Sequence, residues 1–578
     1  ISNTSSDPGA SNSVIIRGVS SLSGTNQPLY VVDGVPLNNS AVYSTDGLNG
    51  GYDFGNGANA VNPDDVESMT ILKGAAATAL YGSRAASGVV MITTKTGKKN
   101  KGLGIEYNGG LQWSTILRLP EFQNEFGMGW NGDHTELENG SWGPRFDGSM
   151  QLWGNRYENS QKLKPYSPIK DNIRDFFDAG FRYNNSVSFN GATDRSEYYV
   201  SFSQISDNGM IPTDADSYDK YTFSARGSHK VKALTFSSSL NYSYQKNKFA
   251  TTGQGLTMLN SLYQTPRDIS IISLQNQDDI FNSPGYFYTP YGVMNPYYIL
   301  ENYLNEYDAE RFYGKFQVDY DFLKYFKFTY RMGLDTTTGQ SNRGEPNLYA
   351  LFYEGTPNGE GMGSNSPFYG KEGSYSQQIT RRREINQDIL LSFSMPINDF
   401  QINALAGFNG NERKYSYLYS SISKLTIPTW YNLSNSAATP VVEQYLSLRR
   451  LMGVFGQVDL SWKNMLYVTM TARNDWSSTL PKENRSFFYP GITGSFIFTE
   501  LLDEGMKDIL SFGKVRMAWG KTGNDANVYM TKPVYGQSSN RIPFGYLNFP
   551  LGGVNAFSAG NVLGSNSAWE FFKSGNDN

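Results

Sequence analysis

The chain has 578 residues, with 49 Lys and Arg against 53 Asp and Glu, a formal net charge of −4 that offers no basic surface and argues against a nucleic-acid partner. Only 18% of residues are charged and 15% are aromatic, with 40 Tyr and 35 Phe, whereas ordinary soluble domains carry about 25% charged residues. Cysteine is absent, which excludes disulfides, thiolate metal sites and cysteine nucleophiles.

The chain opens at Ile1 with neither a Met nor a leader, and it reads as a piece of a longer one. In chain order, "SVIIRGVSS" (13–21) and "PLYVVDGVPL" (28–37) read as short strands, with Asp33-Gly34 a turn dipeptide between apolar runs. "NPDDVESMTIL" (62–72) starts with a turn and cap and runs into another strand. "GAAATALYGSRAASG" (74–88) reads as a short Ala-rich helix closed by glycine, and "VVMITTK" (89–95) returns to a strand. Residues 1–99 are therefore expected to form a compact α+β unit.

From Gly104 onward the period is two. In "LTFSSSLNYSYQ" (234–245), Leu234, Phe236, Leu240, Tyr242 and Tyr244 share one face, and Ser, Thr, Asn and Gln share the other. "FYGKFQVDYDF" (312–322), "FKFTYRMGLD" (326–335), "VFGQVDLSW" (454–462) and "LYVTMTARN" (466–474) repeat the pattern. Soluble sandwich strands also alternate. They average about 5–6 residues, however, while membrane strands need about 9–11. About a dozen strands of the longer kind are expected, with the aromatic face toward lipid and the polar face toward a wet lumen. Long Gly-, Asn- and Tyr-rich segments at 127–168, 251–305, 341–378 and 411–446 suit extracellular loops, and "DFLKYF" and "SWKNML" suit short periplasmic turns. No run of about 18 apolar residues predicts a transmembrane helix.

Catalytic and metal patterns fail on context. "GMGWNG" (127–132) fits G-x-G-x-x-G but neither follows a strand nor opens a helix. "DADSYD" (214–219) lacks the glycine and distal Glu of a calcium loop. The two histidines, His134 and His229, lie far apart in sequence, which argues against a zinc site or a triad. No carboxylate pair stands out. No catalytic residue, metal or cofactor is expected. One aromatic constellation suggests binding: Tyr286, Tyr288, Tyr291, Tyr297 and Tyr298, interleaved with Asn282, Asn295 and Asn302. Ring faces plus amides suit a flat polar ligand. Trp130, Trp142 and Trp153 form a second group. A self-packed loop or a partner-docking surface would use the same residues.

The blocks Arg17-Gly18, Tyr30 to Pro36, Asp65-Val66-Glu67, Leu72-Lys73-Gly74, Ala79 to Gly82, Arg84-Ala85 and Gly88 to Lys95 fall in an order that closely resembles the plug of a TonB-dependent outer-membrane transporter of the SusC/RagA type. The resemblance implies a plug domain (1–99, N-terminally incomplete) inside a transmembrane antiparallel β-barrel (100–578) of about 22 strands, its C-terminal strands missing here. It also implies TonB-dependent import of a large polar nutrient across the outer membrane of a Gram-negative bacterium. The implied partners are a SusD-like surface lipoprotein, TonB, the cargo and outer-membrane lipids. Glycan oligosaccharide is the first expectation for cargo and oligopeptide the second. A secreted β-rich carbohydrate-binding or -degrading protein and a passive porin are the competing classes. Within the plug, Arg17, Glu67, Lys73, Arg84 and Lys95 are the expected contacts to the barrel wall across a hydrated interface.

Overall fold

The computed structural model describes residues 2–3, 7–16, 18, 26–45, 51–72, 81–99, 104–521, 523, 525–531, 534–537, 541–544, 547–550 and 569–573. The N-terminal unit holds β1 (Ser2–Asn3), β2 (Asn12–Ser13), β3 (Leu29–Val32), β4 (Val35–Leu37), β5 (Tyr43–Thr45), β6 (Gly51–Asp53), β7 (Val66–Leu72) and β8 (Val89–Thr94). Its centre is a four-stranded sheet of order β4-β3-β8-β7. β3 and β8 run parallel. Parallel strands are covered on both faces, which is why "LYVV" and "VVMITT" are continuous apolar runs. One face packs Tyr30, Val32, Leu37, Val90 and Ile92, and the other packs Leu29, Val31, Ala85 and Val89. Asp33-Gly34 turns β3 into β4 with φ of 49° and 85°, the double positive φ that the dipeptide favours.

Two local expectations change. The strand expected over 13–21 reduces, in its described part, to Ser13 at the end of β2, and 14–16 are irregular. Of the expected Ala-rich helix, residues 74–80 lie outside the described residues. The described remainder is a 3-10 turn, Gly82–Ala85, entered through Gly82 at φ 66°.

The rest is dominated by one antiparallel sheet. It contains β9 (Ile105–Ser114) and, after the outlying hairpin β10 (Met150–Tyr157) and β11 (Ser160–Pro165), β12 (Gly180–Ala192), β13 (Ser196–Asn208), β14 (Ser217–Val231) and β15 (Leu234–Lys248). It continues through β16 (Leu304–Phe322), β17 (Phe326–Glu345), β18 (Ser374–Ile397) and β19 (Phe400–Ser423). β20 (Val441–Trp462), β21 (Leu466–Ser477), β22 (Ser486–Ile497) and β23 (Lys514–Gly520) complete a 13-stranded meander in chain order. β24 (Val534–Gln537) pairs with β27 (Trp569–Lys573), and β25 (Arg541–Phe544) with β26 (Leu547–Pro550). One end of the meander carries tight turns at 232–233, 323–325, 398–399 and 463–465, with left-handed backbone at Lys232, Leu323, Asn398, Lys463 and Asn464. The other end carries the connections 115–179, 249–303, 346–373 and 424–440.

Alternation sorts the faces as expected. Phe316 and Tyr320 on β16, Phe328 on β17, Ile389 and Leu391 on β18 and Phe408 on β19 are exposed on the outside. On β18 the outward apolar run spans Ile385 to Ile397; at about 3.3 Å per residue and a tilt near 45° it stands roughly 28 Å tall, close to the apolar band of about 25 Å on membrane barrels. Rings gather at its turn end, with Phe322, Phe326 and Phe393 in contact and Phe400 beside Trp462. β18 and β19 reach 24 residues, more than a crossing needs. The strands therefore continue past the apolar belt toward the long loops, where both faces are wet and alternation fades. The long segments assigned to 341–378 and 411–446 shrink to 346–373 and 424–440 for that reason.

The loops fold into a cap with its own core. Helices α1 (Met258–Gln264) and α2 (Pro296–Asn302) pack with the β10–β11 hairpin around Met128, Tyr166, Leu262, Ile269 and Phe287. A third helix, α3 (Leu348–Phe352), joins a neighbouring cluster with Ile299 and Phe368.

Candidate functional site

The N-terminal unit lies against the inner face of the sheet, where the even or odd residues of each strand are polar. Three seats hold it. The first is the 3-10 turn Pro63–Asp65, which forms because Pro63 presets φ and Asn62 caps the amide of Asp64. The turn aims Asp65 into the wall. Its carboxylate accepts from Tyr199 Oη and Ser201 Oγ, both at 2.9 Å, and from Arg226 Nη2 at 3.0 Å. Asp65 and Arg226 are both buried. Beside them, Lys220 Nζ donates to the Asn59 carbonyl at 2.6 Å. A buried charge is tolerable only when paired and hydrogen-bonded in this way.

The second seat is the β3–β4 hairpin. Arg311 grips Asp335 through Nε (2.9 Å) and Nη2 (2.6 Å), and its nitrogens also donate to the carbonyls of Gly57 (2.7 Å) and Asn38 (2.8 Å). Asp335 in turn accepts from the Asn38 amide at 2.8 Å, and Lys315 Nζ donates to the Asp33 carbonyl at 3.1 Å. Close approach dictates glycine here: a Cβ on Gly34 would stand 2.0 Å from Arg331 Nη1, and one on Gly333 of the wall 2.2 Å from Val35.

The third seat is crowded with guanidinium groups. Arg84 Nη1 meets Glu384 Oε1 at 2.7 Å, and Arg413 Nε meets Glu384 Oε2 at 3.1 Å. Asn411 also donates to Glu384 at 2.9 Å. Arg449 pairs with Asp525 and Arg473 with Asp475, and the Ser83 amide donates to Asp475 at 3.4 Å. Among the described residues Arg84 Nε and Nη2 have no hydrogen-bond partner. Burial, and then the charge of Arg413, pull the Arg84 pKa down to about 9 against the opposing pull of Glu384. A cavity of about 170 Å³ adjoins this seat, lined by Tyr81, Arg84, Arg331, Asn409 and Phe455.

Arg17 and Lys73 lie outside the described residues. Lys95 meets Glu106 of β9 at 3.0 Å. Glu67 is exposed and pairs with Lys98 of its own unit at 3.3 Å. The carboxylate that enters the wall stands two residues earlier, at Asp65, because the capped turn sets which residue of the acidic pair points inward. The wall residues Arg226, Arg311, Asp335 and Glu384 went unnamed in the sequence. The signal was there: each is a charge on the polar face of a period-two strand.

In the loop cap, Tyr288, Tyr297 and Tyr298 are 2%, 3% and 8% exposed and sit in the core. They shape the loops and present no ring face to solvent. The amides serve the same end: Asn295 donates to the carbonyls of Leu274 and Asn282. Tyr286 is half-buried, edge-on to Tyr157 at 5.2 Å. Trp130, Trp142 and Tyr291 are 55%, 70% and 48% exposed. One buried ion pair, Lys164 to Asp268 at 2.7 Å, ties the hairpin to the segment after α1. Burial draws Lys164 down to about 8, opposed by Asp268. A further ring cluster went unnoticed in the sequence: Tyr415, Tyr417 and Tyr445 on the inner face of β19 and β20, with Arg382 over Tyr415. Among the described residues no group of three His, Asp or Glu is placed to hold a metal.

Residues 1–89 match the TonB-dependent Receptor Plug Domain. The chain is 26% identical over 589 residues to the TonB-dependent receptor SusC of Bacteroides thetaiotaomicron, covering 97% of this chain and 52% of that protein. It is 26% identical over 552 residues to the TonB-dependent receptor P26 of Formosa agariphila, covering 92% of this chain and 49% of that protein. Among solved structures, the RagAB peptide importer in its closed-closed state superposes with a TM-score of 0.68 at 18% identity, covering 100% of this chain and 60% of that one. The chain thus spans about half the length of the curated relatives it matches. Sequence, plug match and fold agree: a TonB-dependent receptor plug is joined here to a sheet similar to those of SusC and of the RagAB importer.

Proposed function

We propose that this chain is part of a TonB-dependent importer that carries a large polar nutrient across the outer membrane. The observation that carries the reading is the way the plug is held. Its seats are hydrogen-bonded and charged, and a polar interface resists displacement less, per unit area, than an apolar core. Such a plug blocks the bore yet can yield to a mechanical pull, with TonB supplying the pull. No covalent step is needed. The exposed Trp130, Trp142 and Tyr291 would meet cargo or a SusD-like lipoprotein lid at the mouth, with Tyr286 at the edge of that surface, and Tyr415, Tyr417 and Tyr445 would meet cargo further in. Tyr288, Tyr297 and Tyr298 would act through loop shape. Arg84 and Lys95 would hold the plug to the wall, joined by Asp65; Arg17, Lys73 and Glu67 would serve at the rest of its surface.

Oligosaccharide is the favoured cargo, because the exposed rings of Trp130, Trp142 and Tyr291 and the inner-face rings of Tyr415, Tyr417 and Tyr445 suit stacking on flat polar rings. Oligopeptide is the second reading, favoured by the fold shared with the RagAB peptide importer. Deleting residues 1–99 from the full-length transporter tests the class. Cells should become permeable to large antibiotics and lose energised uptake. Unchanged conductance with uptake retained would mark a passive pore and overturn the proposal. Mass spectrometry of ligand co-purified with the intact complex decides between the cargoes.

A further inference from the structure

Positive charge collects on the outside of the sheet where the apolar belt ends. Outward positions on β18 are apolar from Ile397 to Ile385 except at Gln387, and the next two are Arg383 and Arg381. On β19 the outward run that includes Phe408 gives way to Glu412 and Lys414. On β20 Met452 is followed by Arg450. Register sets Arg383 opposite Lys414 and Glu412 opposite Arg450. Arg383 Nη2 and Arg450 Nε both donate to Glu412, at 3.0 and 2.9 Å. The two arginines remain 48% and 65% exposed. Four cations thus face outward around one carboxylate. Directly beside them lies an open groove of about 460 Å³ lined by Phe408, Met452 and Trp476 together with Glu412, Arg450 and Arg485.

The bland account is a solvated rim. A solvated surface mixes signs in balance, whereas this one sets four cations around the single carboxylate of Glu412 and continues into an apolar groove. Guanidinium groups match phosphate oxygens in fork geometry. Near a membrane surface each such cation adds about 1 kcal/mol toward an anionic headgroup. We infer that Arg381, Arg383, Lys414 and Arg450 form an external site for the phosphate of a membrane lipid, with its acyl chain in the Phe408–Met452–Trp476 groove. The inference rests on the barrel lying in the outer membrane.

The test places the full-length transporter in phosphatidylcholine nanodiscs doped with lipid A or with dephosphorylated lipid A, and counts retained lipid by native mass spectrometry. Lipid A should be retained and its dephosphorylated form lost. Arg383→Gln with Arg450→Gln should lower lipid A retention roughly thirtyfold. Glu412→Gln, which frees both arginines, should raise retention. Equal retention of the two lipids, or retention unchanged by the arginine substitutions or lowered by Glu412→Gln, would overturn the site alone. Failure of the protein to enter the discs at all would overturn the transporter reading with it.

Discussion

At the scale of single residues, Asp65 and Arg84 hold the plug by different physics. Asp65 receives a guanidinium and two hydroxyls, so its charge is satisfied. Asp65→Ala leaves Arg226 buried and unpaired and should destabilise the seated plug by about 3 kcal/mol, read as antibiotic leakage through the full-length transporter. Glu67→Ala, at an exposed pair, should stay within about 0.5 kcal/mol and leak no more than the parent. Arg84 is the poorly satisfied partner. Arg84→Met leaves Glu384 with Arg413 and Asn411. It should cost less than Asp65→Ala, because Glu384 keeps a charged partner in Arg413 and the two unbonded nitrogens of Arg84 are removed with the charge. Leakage equal to that of Asp65→Ala would refute this ranking. A third residue senses pH. Burial, with Asp7 adding to it, lifts Asp216 from 3.8 to about 7, against the amides of Met210 and Ile211 that bond to it. A raised carboxyl pKa means the native state favours the proton. That stabilisation is whole below the ordinary pKa and is lost as pH rises through about 7. Hydrogen exchange at 209–216, corrected for intrinsic rate, should therefore quicken from pH 5 to pH 8, and Asp216→Asn should flatten the change.

At the scale of elements, the cap and the plug hairpin each hold one contact that can be tested by itself. Asp268 accepts from the Met128 amide at 2.9 Å and pairs with Lys164. Asp268→Asn strands a buried ammonium and should cost the cap roughly 3 kcal/mol. Limited proteolysis should then cut within 127–168 while the strands stay intact; parental resistance would show that the apolar core suffices. Gly333→Leu fills the space that Val35 occupies. It should unseat the β3–β4 hairpin while leaving the ladder of β17 in place, seen as leakage without loss of folded barrel. What the sequence disclosed at this scale was uneven. Strand identity was legible wherever one face met lipid and the other water, as at 312–322. Strand ends were not, because past the belt both faces are wet and the period carries no signal.

At the scale of the whole molecule, the proposed function divides three tasks among the 13-stranded sheet, the plug and the loop cap: crossing the bilayer, closing the bore and meeting what lies outside. The division was legible because each task imposes its own composition. Small residues and continuous apolar runs marked the plug, period two marked the wall, and Tyr- and Asn-rich stretches marked the loops. The roles of individual loop aromatics were not legible. Tyr288 and Tyr291 stand three residues apart in the same kind of sequence, yet one is 2% exposed and the other 48%.

By itself the sequence determined the periodicities: β3 and β8 as short strands, the wall strands split between lipid and lumen, and Asp33-Gly34 a tight turn. These follow from backbone geometry and from which solvent each face meets, both local properties. Tertiary structure alone decided the pairings. Asp65 with Arg226, Arg84 with Glu384 and Asn38 with Asp335 join residues 161, 300 and 297 positions apart. A charge on a polar face needs a partner, and no local rule names that partner until the plug is docked against the wall.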